Sequence, residues 1–215
     1  MKKITIIILI IFLLFGVVKT ETVFLDLPLI GKIIYLDAGH GGIDSGATYK
    51  DILEKDINLD LVLKLESELS KKGAIVYLTR KADNDLAISG ARYRKQSDLG
   101  NRAKLIENSD ADLFVSIHLN SYPSSKWKGT QVFYTLKNNK NESFASIMQQ
   151  ELNQERKHAI INNMYMYDRI TKPGILIEAG FLSNKIDREH LLNEEYKHEF
   201  VSKIVKGIIK YYVVN

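Results

Sequence analysis

Short apolar runs alternate along this chain with longer stretches whose apolar residues recur every three or four positions. Residues 32–37 (KIIYLD), 74–79 (AIVYLT), 112–119 (DLFVSIHL) and 174–179 (GILIEA) are the apolar runs. Runs of this length, bounded by Gly or polar residues, predict buried strands. A further strand is expected at 129–135 (GTQVFYT), where polar and apolar residues alternate, and a short one at 165–170. Between them lie helical patterns. In residues 51–72, Ile57, Leu61, Leu65 and Leu69 fall four apart, Val62 widens the stripe, and Lys71, Lys72 and Gly73 supply a stop. Residues 83–97 read as a polar loop leading to a helix at 98–108. A polar helix is expected at 143–158, and closing helices at 186–192 and 195–212. Strands alternating with helices predict an α/β fold: a single domain with a twisted, mostly parallel sheet flanked by helices on both faces. No repeat, heptad run or Gly/Ser/Pro-rich linker divides the chain, so one domain is expected over residues 32–212.

The first 22 residues differ from the rest. Lys2 and Lys3 precede an apolar run over 4–18, interrupted mildly by Thr5 and Gly16, and Lys19 follows. A basic start before an apolar run is the pattern of a secretory signal. The run is shorter than the roughly 20 residues of a full membrane span. The sequence Val17-Val18-Lys19-Thr20-Glu21 offers no clean small-residue cleavage site. Residues 1–22 are thus expected to be a signal peptide or a membrane anchor, and the domain to act outside the cytoplasm.

Composition narrows the chemistry. The 215 residues include no Cys, which excludes a disulfide scaffold and thiolate metal ligands; any metal site must use His and carboxylates. The net charge of +4 comes from intermixed basic and acidic residues. That excess is too small and too dispersed to imply nucleic acid as a partner.

In open α/β sheets, sites form at the carboxyl ends of strands. His40 follows the first strand in a glycine-rich loop, Ala38-Gly39-His40-Gly41-Gly42. His118 lies near the end of the 112–119 strand, Glu178 near the end of 174–179, and Glu54 in the first turn of the helix after the glycine loop. Two His and a carboxylate with an open fourth position form a common catalytic zinc set, which His40, Glu54 and His118 would supply. Glu178 stands in an otherwise apolar strand, where burial would raise its pKa and suit it to general base catalysis. Each residue also has a plainer reading. A His at a strand end is often a hydrogen-bonded structural residue, a Glu in a first helical turn complements the helix dipole, and Glu178 could pair with a buried cation.

A resemblance adds to this. Ile34-Tyr35-Leu36-Asp37-Ala38-Gly39-His40-Gly41-Gly42, Glu54-Lys55-Asp56, Ser116-Ile117-His118-Leu119-Asn120-Ser121 and Ile177-Glu178-Ala179-Gly180-Phe181-Leu182-Ser183-Asn184 resemble the four signature blocks of zinc-dependent N-acetylmuramoyl-L-alanine amidases with AmiC/LytC-type catalytic domains. Leu78-Thr79-Arg80 and the stretch from Asp98 to Arg102 fit intervening blocks. The resemblance implies one Zn2+ per chain, bound by His40, Glu54 and His118, and Glu178 as the catalytic carboxylate. It implies hydrolysis of the amide joining N-acetylmuramic acid to the first L-alanine of peptidoglycan. Asn120 and Arg102 match positions near the cleft and are weak candidates for substrate binding; support of loop and helix packing is the alternative for both. The short layout is similar to germination-specific spore-cortex amidases, which implies cortex trimming for muramic-δ-lactam formation. Without wall-binding repeats, affinity would come from the cleft, from the anchor, or from an activating or tethering membrane-associated protein.

Two rival functions remain at this stage. One is a zinc peptidase cutting within the stem peptide. The other is a non-catalytic wall-binding protein with a decayed site.

Overall fold

In a computed structural model of the protein, residues 26–153, 157–161 and 164–214 are described. The expected leader at 1–22 lies outside them. Strand β1 (Ile33–Ala38) is followed by a small hairpin, β2 (Thr48–Tyr49) and β3 (Ile52–Leu53), then helix α1 (Glu54–Lys71) and β4 (Ile75–Leu78). Next come α2 (Arg94–Glu107), β5 (Leu113–Asn120), β6 (Gln131–Tyr134), α3 (Asn141–Leu152) and β7 (Ala159–Ile160). A 3-10 turn (Tyr167–Arg169), β8 (Gly174–Phe181), α4 (Lys185–Leu192) and α5 (Glu194–Val214) complete the chain.

The main sheet runs β4-β1-β5-β8-β6-β7. All neighbouring pairs are parallel except β6–β8. The expected α/β fold with a mostly parallel sheet is therefore what forms. Alternation along each strand sends side chains to opposite faces. Ile34, Leu36, Leu113, Val115, Ile117, Ile175 and Ile177 join α1, α3 and α5 in the larger core. Tyr35, Phe114 and Leu176 point the other way, onto Ala103 and Ile106 of α2 and onto Met166, Tyr167 and Ile170. Period-two alternation places Asp37, Ser116, His118 and Glu178 on this second face, towards the carboxyl ends of the three central strands. Among the described residues, no helix is long and apolar enough to cross a membrane.

Several boundaries differ from expectation. Helix α1 begins at Glu54 rather than at 51, because Ile52 and Leu53 pair with Thr48 and Tyr49 in the hairpin. Helix α2 begins at Arg94, four residues before Asp98. Its polar first turn carries no apolar periodicity to mark it. Asp98 does not cap the helix; its carboxylate accepts from Leu86 N and from Arg102. Helix α3 stops at Leu152, and Ala159–Ile160 adds an edge strand to β6. The strand expected at 165–170 is instead a turn and a 3-10 helix. Its apolar residues serve a curved segment packed on the sheet: Met166, Tyr167 and Ile170 are buried, and the Tyr167 hydroxyl donates to Ser116 Oγ at 2.9 Å.

Candidate active site

At the end of β1 the backbone turns sharply. Gly39 N still donates to Ile117 O at 3.0 Å, keeping the loop attached to β5. His40 then adopts φ 61°, a left-handed conformation costing a non-glycine residue about 1–2 kcal/mol. Two buried arginines hold the loop in place. Arg102 donates to Ala38 O (2.7 Å) and His40 O (2.5 Å), and Arg80 donates to Ala38 O (2.9 Å) and Gly39 O (3.1 Å). Strain at one functional residue is thus fixed by surrounding hydrogen bonds.

This loop brings three donors together. Glu54 opens α1 with its Oε1 3.1 Å from His40 Nε2 and 3.0 Å from His118 Nδ1. Oε1 also accepts from Leu119 N at 3.0 Å, and Oε2 from Ala47 N at 2.7 Å. One ligand atom from each of His40, Glu54 and His118 lies within 4.8 Å of the others, a grouping able to hold a metal ion. The second ring nitrogen of His40 faces Asp44 Oδ2 at 3.0 Å. A carboxylate there orients the ring and sets its tautomer, as a carboxylate on the far nitrogen of a metal-bound His does.

Glycines leave room for the cluster. A Cβ on Gly39 would sit 2.2 Å from the His118 ring, and one on Gly46 would sit 2.6 Å from Glu54 Oε2. Burial alone would raise the Glu54 carboxyl, yet His118 and His40 hold it well below the usual carboxylate range. Burial works against a charge on His40, but Glu54 and Asp44 outweigh it and raise its affinity for a proton.

Glu178 is the register partner of His118 on the adjacent strand. The residue is only partly buried as a whole, but its Oε2 is shielded from solvent and has no hydrogen-bond partner. Burial, with Glu54 nearby, pushes its pKa up to about 7 against the opposing pull of His118 and His40. A cleft of about 270 Å³ unites it with His40, Glu54 and His118, between Lys95 and Leu99 of α2 and a wall formed by Met164 and Tyr165. No residue of α3 lines this cleft.

Arg102 sits at the cleft floor rather than its mouth. It is 1% exposed, and its guanidinium is committed to Asp37 (2.8 Å), Asp98 (2.9 Å) and the two loop carbonyls. Asn120 lies beyond the register shift that follows His118, outside the cleft lining, and its carbonyl accepts from Leu182 N at 2.8 Å. Sequence reasoning did not single out Asp37 or Asp44. Asp37 had a signal, a charge inside a buried strand; Asp44, in a polar loop, had none.

Comparison with known proteins identifies the family. The family described as N-acetylmuramoyl-L-alanine amidase matches residues 34–210. A germination-specific N-acetylmuramoyl-L-alanine amidase of Bacillus subtilis (strain 168) is 46% identical over 195 residues, covering 87% of this chain and 82% of that protein. The CwlD amidase from Clostridioides difficile, solved in complex with the GerS lipoprotein, superposes with a TM-score of 0.81 at 38% identity, covering 86% of this chain and 100% of that one. The catalytic domain of CwlV, an N-acetylmuramoyl-L-alanine amidase from Bacillus (Paenibacillus) polymyxa, gives a TM-score of 0.74 at 32% identity, covering 86% of this chain and 99% of that one. With a hydrolytic cleft at the carboxyl ends of its central strands, this chain belongs to the N-acetylmuramoyl-L-alanine amidase family, the cell-wall enzymes that cut between N-acetylmuramic acid and L-alanine.

Proposed function

We propose that the reaction depends on a single zinc ion held by His40, Glu54 and His118, with Glu178 as the group that moves the proton. The donor set fits: two imidazoles and a carboxylate converge, and a shielded carboxylate oxygen without a hydrogen-bond partner, Glu178 Oε2, adjoins them. That oxygen is the observation that carries the reading, since a shielded carboxylate oxygen without a partner is rare in native proteins and marks functional sites. When bound, zinc would supply Lewis-acid polarisation of the scissile carbonyl and would activate water for attack.

The residues account for the rest. Glu178, poised near neutrality, accepts a proton as water adds to the lactyl carbonyl and returns it to the departing L-alanine amine. Asp44 keeps the His40 ring oriented, while Arg102 and Arg80 keep its backbone in place. Leu99, Met164 and Tyr165 narrow the cleft around the reacting amide.

The relatives support a biological setting. The germination-specific enzyme of Bacillus subtilis supports a role in processing spore-cortex peptidoglycan, so that muramic-δ-lactam can form. The GerS complex of the Clostridioides difficile relative supports a membrane-associated partner that activates or tethers this chain. Residues 1–22 would carry the enzyme across the membrane or anchor it outside, placing it in the spore envelope.

Mass spectrometry of products from purified peptidoglycan, with and without chelator, tests the reading. Intact stem peptides with a free L-alanine amine, lost with chelator and restored by zinc, are expected. Fragments cut within the stem would establish a peptidase instead, and no turnover would favour a wall-binding protein.

A further inference from the structure

Helix α2 presents one stripe to the cleft: Lys95, Asp98, Leu99 and Arg102, at the i, i+3, i+4, i+7 spacing of a single helical face. The stripe climbs from floor to mouth. Arg102 is 1% exposed and Asp98 5%, whereas the Lys95 side chain is 68% exposed. The charge of Arg102 is taken up by Asp37 and Asp98. Lys95 is therefore the one exposed cation among the described residues lining the cleft.

Its ammonium is not firmly engaged. Lys95 Nζ lies 3.5 Å from Asp44 Oδ2, well beyond the roughly 2.7–2.9 Å of a strong charge-assisted hydrogen bond. Asp44 is already occupied, by His40 at 3.0 Å and by Gly46 N at 3.1 Å. The first turn of α2 contains no acidic residue, so the positive end of the helix dipole adds to the lysine's field. Arg94, next in sequence, is turned away onto Asp85.

Lys95 lines the same cleft as His40, Glu54, His118 and Glu178. Lys95 reaches Asp44, and Asp44 reaches the His40 ring whose other nitrogen faces Glu54. Two extended residues span about 7 Å. The second stem residue of a peptide cut at the muramoyl–alanine bond therefore lies within about 7 Å of the scissile bond, still inside the cleft region that Lys95 lines. In peptidoglycan this residue is glutamyl and continues through its γ-carboxyl, which leaves an α-carboxylate free. We propose that Lys95 forms a subsite for that carboxylate and sets a preference for free over amidated stems. The inference rests on the amidase reading above.

The test compares two soluble substrates, N-acetylmuramoyl-L-alanyl-D-isoglutamate and its isoglutamine counterpart, with zinc-loaded full chain. Hydrogen bonds to a charged group make a preference for the carboxylate of about tenfold in kcat/KM, carried by KM. In Lys95→Gln the ratio falls towards one, in Lys95→Glu it inverts, and Lys95→Arg restores it. Calorimetric binding of both compounds to Glu178→Gln gives the same ratio without turnover. Equal KM values for the two substrates in the wild type would overturn the subsite. So would a Lys95→Gln variant that loses both substrates equally together with bound metal, since Lys95 would then act through Asp44 and His40. Failure to release alanyl peptides from either substrate would overturn the amidase reading itself, and the subsite with it.

Discussion

Glu178 and His118 face one another as register partners on β8 and β5, two parallel strands at the centre of the sheet. Both side chains leave the same side of the pleat, so a candidate zinc ligand and the proposed proton carrier are neighbours by strand pairing alone. The register shifts immediately after His118, where the strand irregularity re-aims the chain towards Asn120. Replacement of Glu178 by Gln keeps this packing and removes the proton acceptor. A fall in kcat of about 10²–10⁴-fold is expected, with bound zinc and the thermal transition close to wild type. Full activity in this variant would remove Glu178 from the mechanism.

The same carboxyl makes stability depend on pH in the metal-free protein. Its folded pKa of about 7 stands above the ordinary value of 4.5. An acid raised in this way favours the folded state while protonated and burdens it once ionised. The burden begins as pH rises past 4.5 and is complete above 7. Urea unfolding of metal-free wild type and Glu178→Gln should therefore agree near pH 4.5. By pH 8 they should diverge by up to about 3 kcal/mol in favour of the variant. Parallel pH curves would show that Glu178 ionises freely in the folded protein.

Gly39 predicts a steric effect on metal binding. The Cβ of Gly39→Ala would lie 2.2 Å from the His118 ring, so ring or loop must move. Metal affinity should fall by at least about tenfold, the lower range for disturbing residues that orient metal ligands. Competition with a chromogenic chelator measures this directly, and unchanged affinity would mean that the ring has freedom the packing denies it.

Arg102 ties the loop to the core. Replacement by Met would leave Asp37 and Asp98 without their cation in a dry interior, at a cost of about 3–5 kcal/mol. Burial acts to raise the Asp37 carboxyl, but Arg102, with His118, Ser116 and Thr79, holds it below the ordinary Asp value of 3.8. The stability Asp37 contributes is thus fully present above that value and is lost as pH falls through the lower folded one. Denaturation of Arg102→Met should show the deficit at pH 7 and a weakened acid limb. Lys at this position should restore charge but not the grip on both loop carbonyls.

Much of the architecture was legible because its elements are strongly periodic. The apolar runs at β1, β5 and β8 and the four-residue stripe of α1 each mark a buried element of the core. The first turn of α2 was not legible: Arg94 to Ser97 are polar residues selected by the cleft and by Asp85 rather than by the core. The segment at 165–170 misled for the opposite reason. Its apolar residues fit a strand as well as a turn, and the turn is fixed by tertiary packing on the sheet, including the Tyr167 hydroxyl reaching Ser116. At the site, residue types and strand ends pointed to His40, Glu54, His118 and Glu178. The supports, Asp44 and Arg80, act through carbonyls and ring nitrogens that no spacing reveals.

The buried hydrogen bond from Ser116 Oγ to Asp37 Oδ2 spans 79 positions in sequence. Central strands with such separations pair only after large loops have closed, which makes formation of the sheet a late and cooperative event. Until β1, β5 and β8 pair, nothing in the fold holds His118 and Glu178 beside His40 and Glu54. The candidate site is therefore a product of the completed sheet and not of any local stretch of chain.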